Sequence, residues 1–310
     1  SSITASGTKA GSIEIDAGGS ANIAGAVEAN GDASAGGTVS LKAIIDTTLA
    51  SGSRVTANGS SGGSVTISAG GTASTAGTVE AKGETGIGGQ VAMVGDMTGI
   101  FDGARIDVSG ATGGGNILAG GDKQGGFIFS GGEFLPNSRR TFVGRDTELR
   151  ADAITVGDGG KVIVWADDAT QFYGNISARG GVNGGNGGFV ETSGKGWLDF
   201  NGLVDTRAPF GQAGTLLLDP TNIYIALNQA NATTAGMSGA DTSASTGPTT
   251  FAGSGAIQDS LLTTGALTTA LGASNVVVNT ANASGTGAGN ITVVDAVSWA
   301  NGNSLTLRSA

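Results

Sequence analysis

The 310-residue chain has no Cys, no His, only 4 Pro, 13% charged residues and 5% aromatic residues. Each shortage closes off a class of chemistry. Without Cys or His there is no Ser-His-Asp or Cys-His nucleophile, no zinc site of the usual nitrogen and sulfur kind, no haem axial His and no disulfide framework. Catalysis would have to rest on carboxylates, Lys, Arg, Ser or Tyr, and a cation would need oxygen ligands. Basic residues are outnumbered 15 to 25, for a net charge of −10. That argues against a nucleic-acid surface, because phosphate binding needs clustered Lys and Arg. No uninterrupted apolar run approaches the roughly 20 residues of a membrane helix, and no basic-then-apolar signal segment opens the chain. It starts at Ser1 and stops within the strand-like pattern Ser304 to Ser309, so a processed piece of something longer is expected.

Glycine is what the chain has in excess, with 59 residues beside 38% apolar ones. So few charges are unlike disorder, and no Gly-X-Y triplet runs through the chain, which excludes collagen. A phrase Gly-x-Val-x-Ile/Leu recurs instead, as Gly11-Ser-Ile13-Glu-Ile15, Gly37-Thr-Val39-Ser-Leu41, Gly63-Ser-Val65-Thr-Ile67, Gly89-Gln-Val91-Ala-Met93 and Gly115-Asn-Ile117-Leu-Ala119. Successive copies are 26 residues apart. A second phrase, Gly25-Ala-Val27-Glu, returns two periods later as Gly77-Thr-Val79-Glu. After residue 120 the phase changes, and the first phrase resumes at Gly160, Gly188, Gly214 and Gly289.

Apolar and polar residues alternate inside each phrase, the period of a half-buried strand. A unit of about 26 residues with two or three short strands cannot bury its own apolar face, but stacked units can. The expected fold is therefore all-β, a parallel β-helix of about 26 residues per coil. Ile13, Val39, Val65, Val91, Ile117, Val162, Val190 and Leu216 would point inward, and glycines would serve corners that need φ > 0. The division expected is 1–225 as β-helix with an irregular loop at 121–150, 226–272 as a loop plus short helix, and 273–310 as further coils. Ile257, Leu261, Leu267 and Leu271 share one helical face ending at Gly272, which predicts the helix over 255–272.

Gly157 to Ile225, GDGGKVIVWADDATQFYGNISARGGVNGGNGGFVETSGKGWLDFNGLVDTRAPFGQAGTLLLDPTNIYI, resembles filamentous-haemagglutinin-type exoproteins of the two-partner secretion pathway, especially the high-molecular-weight adhesin group. Gly289, Ile291, Val293, Trp299 and Leu305 to Leu307 extend the resemblance, while the N-terminal third matches in repeat style alone. The resemblance implies a secreted, right-handed β-helix of a Gram-negative bacterium, exported by an outer-membrane β-barrel transporter and displayed at the cell surface. It also implies attachment to host or bacterial glycans or proteins, with no cofactor. The family's N-terminal secretion domain is not evident in this sequence.

Candidate sites are few. Trp165, Tyr173 and Trp197 lie close in sequence, and Trp165 would face outward from its strand. They form either a surface for stacking on sugars or a partner chain, or an apolar patch shielded by the 121–150 loop. Asp167 and Asp168 adjoin them but, as strand neighbours, face opposite ways. Asp96 and Asp122 are one period apart and could stack around a cation. The basic cluster Arg139, Arg140, Arg145 and Arg150 could take an anionic glycan or pair with Glu133, Asp146, Glu148 and Asp152. Asn-x-Ser/Thr occurs at Asn58, Asn175, Asn231, Asn282 and Asn290, a number such a composition produces by chance. The reading is a non-enzymatic structural and adhesive segment. The alternatives are a subunit of a self-associating extracellular filament or sheath, and a polysaccharide-binding or polysaccharide-cleaving β-helix.

Overall fold

A computed structural model describes residues 1–101, 103–130, 133–238, 259–281 and 287–310. It is a parallel β-solenoid of about 10 turns. Among the described residues, three parallel sheets of eight, ten and seven strands run its length, joined by short corners. Each regular coil contributes one strand to each sheet, so strand neighbours in space are one coil apart in sequence; toward the C-terminus Asn222–Ala226, Asp259–Thr263 and Ile291–Val293 form a separate three-stranded parallel sheet. In the ten-stranded sheet Ser12 pairs with Thr38, then Ser64, Gln90 and Asn116, the 26-residue step of the sequence.

The inward column is the expected one. Val39, Val65, Val91, Val162, Val190 and Leu216 have no exposed surface, and Ile13 and Ile117 retain 7% and 1%. The seven-stranded sheet adds Ile100, Val143, Phe172 and Phe200 in register, with the last two rings stacked 5.6 Å apart. A core this narrow also holds hydroxyls. Thr47, Thr141 and Thr170 are buried, and each donates from Oγ1 to a carbonyl of the following coil, at Ser68, Trp165 and Ser193 (2.8, 2.6 and 2.7 Å). These bonds satisfy groups that would otherwise cost stability. At another corner Asn30 Oδ1 accepts from Asn58 N–H and Asn58 Oδ1 from Lys82 N–H (2.8 and 2.7 Å), tying successive coils together.

Glycines such as Gly52, Gly103 and Gly157 do take the positive φ that the sequence suggested, but the paired corner glycines serve a different purpose. Pairs such as Gly62-Gly63, Gly88-Gly89 and Gly114-Gly115 stack along one corner, and none of them has positive φ. A Cβ on Gly89 would fall on the Gly63 carbonyl, and one on Gly115 on the Gly89 carbonyl, well inside the 3.0 Å that real Cβ atoms keep. Close approach of backbones selects these glycines.

Three further departures concern the irregular parts. The loop expected over 121–150 ends at Asn137, because Arg140–Val143 and Glu148–Arg150 are regular strands of the solenoid. The helix expected over 255–272 is shorter: among the described residues Asp259–Thr263 is a strand paired in parallel with Asn222–Ala226, and the helix is Thr264–Leu271. Thr263 caps it, its Oγ1 accepting from Ala266 N–H (3.1 Å), and Leu267 and Leu271 are buried in the main core. Ile257 lies outside the described residues, as do 239–254 of the expected loop excursion. A six-residue helix at Gln229–Thr234 was not foreseen; it packs Ala232 beside Met237 and Tyr224. Strands Asn275–Asn279 and Leu305–Arg308 continue the ten-stranded sheet. Among the described residues no helix is long and apolar enough to cross a membrane.

Candidate functional site

Near the middle of the rod the regular step is broken. After Ala119 the chain leaves the ten-stranded sheet, crosses the outer face and rejoins the solenoid so that Arg139 occupies the place beside Asp96, 43 residues on. The intervening segment is a strap. It holds a tight turn at Lys123–Gly125 and an antiparallel hairpin, Ile128–Ser130 with Glu133–Leu135. Two glycines let it lie flat on Trp165. A Cβ on Gly121 would come within 2.7 Å of indole Cδ1, and Gly125, at φ 76°, would place one 2.9 Å from Cζ2.

Beneath the strap is a second apolar cluster, distinct from the core inside the rod. Ala92, Val94, Leu118, Ile128, Ile163 and Trp165 form it, with Leu135 and Phe189 at its margin. Trp165 does face outward from its strand, but it is 4% exposed. Its Nε1–H donates to Asp167 Oδ1 (3.0 Å), which also accepts from Asn137 of the strap (3.3 Å). Lys161 Nζ to Asp122 Oδ1 (2.7 Å) and Lys42 Nζ to Glu133 Oε2 (3.1 Å) pin the two ends of the strap.

The exposed aromatic patch expected from Trp165, Tyr173 and Trp197 is therefore not present. Trp197 is 3% exposed, in the last strand of the seven-stranded sheet, where Asp259–Thr263 runs alongside and Leu198 N–H donates to Ser260 Oγ (2.9 Å). Tyr173 is half-buried. Its ring meets Phe142 edge-on at 5.9 Å, Phe142 stacks on Phe101 at 5.6 Å, and Arg145 sits over the tyrosine ring at 5.2 Å. Burial and the neighbouring Asp199, to which the hydroxyl donates (2.5 Å), push the phenol pKa up. Asp199 is itself raised by burial, against the pull of that hydrogen bond.

The exposed aromatics that cluster are on the strap, while Phe210, 76% exposed, lies outside it. Phe127, Phe129 and Phe134 are 61%, 58% and 72% exposed, and the last two rings lie 4.9 Å apart. Between the hairpin and the rod runs a groove of about 530 Å³, lined among others by Lys42, Ile44, Val94, Glu133, Phe134 and Leu135.

Asp96 and Asp122 do not converge as a catalytic or cation site would need. The strap's extra residues move Asp122 away from Asp96, which is why the two do not stack. Asp96 takes a two-pronged contact from Arg139 (2.6 and 2.8 Å), and that hydrogen bonding holds its pKa below the ordinary value. Asp168 lies on the other side of the same guanidinium at 3.9 Å, giving an Asp-Arg-Asp column over three coils. Among the described residues no group of three or more His, Cys, Asp or Glu could hold a metal.

The basic cluster of the sequence is dispersed over two faces. Arg139 joins Asp96, Arg145 covers Tyr173, and Arg150 approaches Glu148 (3.7 Å) on the eight-stranded sheet. Of its four expected partners Glu148 pairs with Arg150, while Glu133 goes to Lys42 and Asp152 accepts from Ser177 and the Arg179 N–H. The same sheet carries other alternating pairs, Glu28, Arg54 and Glu80 with Lys82, then Arg105 with Asp107 and Glu148, then Arg179 and Arg207 on Asp205. Of the Asn-x-Ser/Thr positions, Asn58 is engaged in the corner ladder and Asn282 lies outside the described residues.

One residue has no sequence signal at all. Glu191 is fully buried under the strap turn, and burial pushes its carboxyl up to about 7. No protein-family model matches this chain, and no curated protein matches it.

Proposed function

We propose that this chain is a structural and adhesive segment of a secreted bacterial surface exoprotein, attaching to cells or matrix through side chains displayed on a stiff rod. The supporting observation is the strap: three phenyl rings held out together on one segment, while Phe142, Trp165, Phe172, Trp197 and Phe200 are buried. Exposed apolar patches of this kind mark interaction surfaces, and a tightly pinned hairpin presents them with little ordering cost on binding. The resemblance of Gly157–Ile225 to filamentous-haemagglutinin-type exoproteins supports export through an outer-membrane β-barrel partner and extracellular display.

A filament subunit is the second reading. Parallel coils stack strand on strand along the rod, the same pairing by which strands of separate copies can join. A polysaccharide-cleaving reading has less support, because Asp96, Asp122, Asp167 and Asp168 are each engaged by neighbouring side chains. The test is a titration of purified chain over cultured cells and matrix-coated surfaces, with electron microscopy of the same sample. Saturable binding by dispersed rods is expected. No retention on any surface, together with long filaments, would replace the adhesive reading by the filament one.

A further inference from the structure

Glu191 projects outward from strand Phe189–Gly194, yet it has no exposed surface. What covers it comes from 67 residues earlier in the chain: both its carboxylate oxygens accept from the N–H of Gln124, at 3.3 and 3.1 Å. Gln124 adopts φ 53°, the one positive φ at a non-glycine among the described residues, so the turn holds an unfavourable backbone conformation while making this contact. Its side chain reaches a second buried acid, Nε2 donating to Asp219 Oδ2 (3.4 Å), and Asp219 also accepts from Asn279 (3.3 Å). One turn of the strap thus spans two buried carboxylates.

The groups around Glu191 come from every neighbouring element. On its own strand Ser193 hydrogen-bonds to it. Its register partners, Ile163 and Leu217, are apolar. The strap contributes Lys123, whose Nζ lies 4.8 Å from the Phe189 ring centre, and Asp122, which is tied to Lys161. Beyond Asp219 the register continues through Asn279 to Arg308.

We propose that this contact is a pH-linked latch: the strap turn seats on the rod when Glu191 is protonated and lifts as Glu191 ionises, baring the apolar stripe around Ile163 and Trp165. Burial raises the carboxyl from 4.5 to about 7, with Gln124 and Ser193 pulling it down, Asp219 raising it and Lys123 lowering it. A lifted turn returns Glu191 to water and to its ordinary value. Between about pH 4.5 and 7 the lifted state therefore loses its proton first, so closure weakens as pH rises through that window and levels off above it. A shift of this size corresponds to a change on the order of a hundredfold in the closing equilibrium.

The test is amide hydrogen exchange of residues 121–137 in the whole chain, corrected for intrinsic rates, between pH 4.5 and 8. The opening constant of the strap is expected to rise on the order of a hundredfold across the window, while amides of the rod at 54–69 stay level. Glu191→Gln, neutral throughout, is expected to be flat, and Asp219→Asn, which removes the like charge, to move the midpoint to lower pH. A flat wild-type profile, or a Glu191→Gln profile that matches the wild type, would overturn the latch. If Glu191→Gln does not fold, an unmoved midpoint in Asp219→Asn overturns it.

Discussion

The glycine pairs along one corner are the feature on which coil stacking depends most, and Gly88→Ala tests it. A Cβ at Gly88 would fall on the Val108 carbonyl at a separation no real Cβ shows, so the two coils must move apart or the corner must distort. Three backbone hydrogen bonds meet there: Gly88 N–H to Gly113 (2.9 Å), Gly89 N–H to Ala81 (2.7 Å) and Gly115 N–H to Val108 (2.8 Å). Each contributes about 0.5–1.5 kcal/mol net, and overpacking adds about 1–3 kcal/mol, so Gly88→Ala should cost about 2.5–7.5 kcal/mol if all three are lost. Gly18 is the control, since nothing lies within 4 Å of a Cβ there and its φ is ordinary. Gly18→Ala should be neutral or stabilise by about 0.4–1 kcal/mol through the unfolded chain. Urea unfolding followed by circular dichroism reads both, with hydrogen exchange of the flanking coils guarding against partial unfolding in a repeat protein. Equal midpoints for Gly88→Ala and wild type, or equal harm from the two substitutions, would refute the close-approach argument.

Other consequences follow from the register, the strap and the charge pairs. Trp165→Ala removes the largest side chain under the strap and should cost about 3–5 kcal/mol, with strap amides losing protection before those of the rod; a loss below about 1 kcal/mol would contradict the second core. Because Glu14 and Ser40 are register partners on the outer face, Glu14→Cys with Ser40→Cys should form a disulfide under mild oxidation. Glu14→Cys with Thr66→Cys, two coils apart at roughly 10 Å, should not; gel mobility without reductant distinguishes them. At Asp205 burial alone would raise the pKa, but hydrogen bonds and charge from Arg207, with Arg179 nearby, outweigh it and leave the group below 3.8. Its folded value being depressed, its stabilisation is full above about pH 3.8 and fades as pH falls through the lower folded value, so Arg207→Ala should raise the midpoint of acid unfolding.

Legibility in the sequence followed the period. Val39, Val65 and Val91 could be placed in one column because nothing interrupts their 26-residue step. Asp96 could not be paired correctly, because the step there is 43 and its neighbour is Arg139 rather than Asp122. The glycine pairs were visible, but positive φ and close backbone approach both select glycine, and only the third dimension separates them. Leu261 fits a helical face and a strand equally well; pairing with Asn222–Ala226 decided for the strand. Whether Trp165 was exposed or covered turned on where the loop lay, which alternation along its own strand does not encode. Glu191 reads as an ordinary polar position on a strand, and its burial is imposed by a turn distant in the chain.

The adhesive reading stands or falls on Phe127, Phe129 and Phe134. The decisive measurement compares binding of wild type and the triple variant Phe127→Ser, Phe129→Ser, Phe134→Ser to the surface that retains the wild type best. Circular dichroism and urea midpoint serve as the check that the rod is intact. Because these rings are largely exposed, unchanged folding is expected together with at least a tenfold loss of affinity, on the order of 1.4 kcal/mol or more. Undiminished binding by a folded triple variant would contradict the adhesive reading.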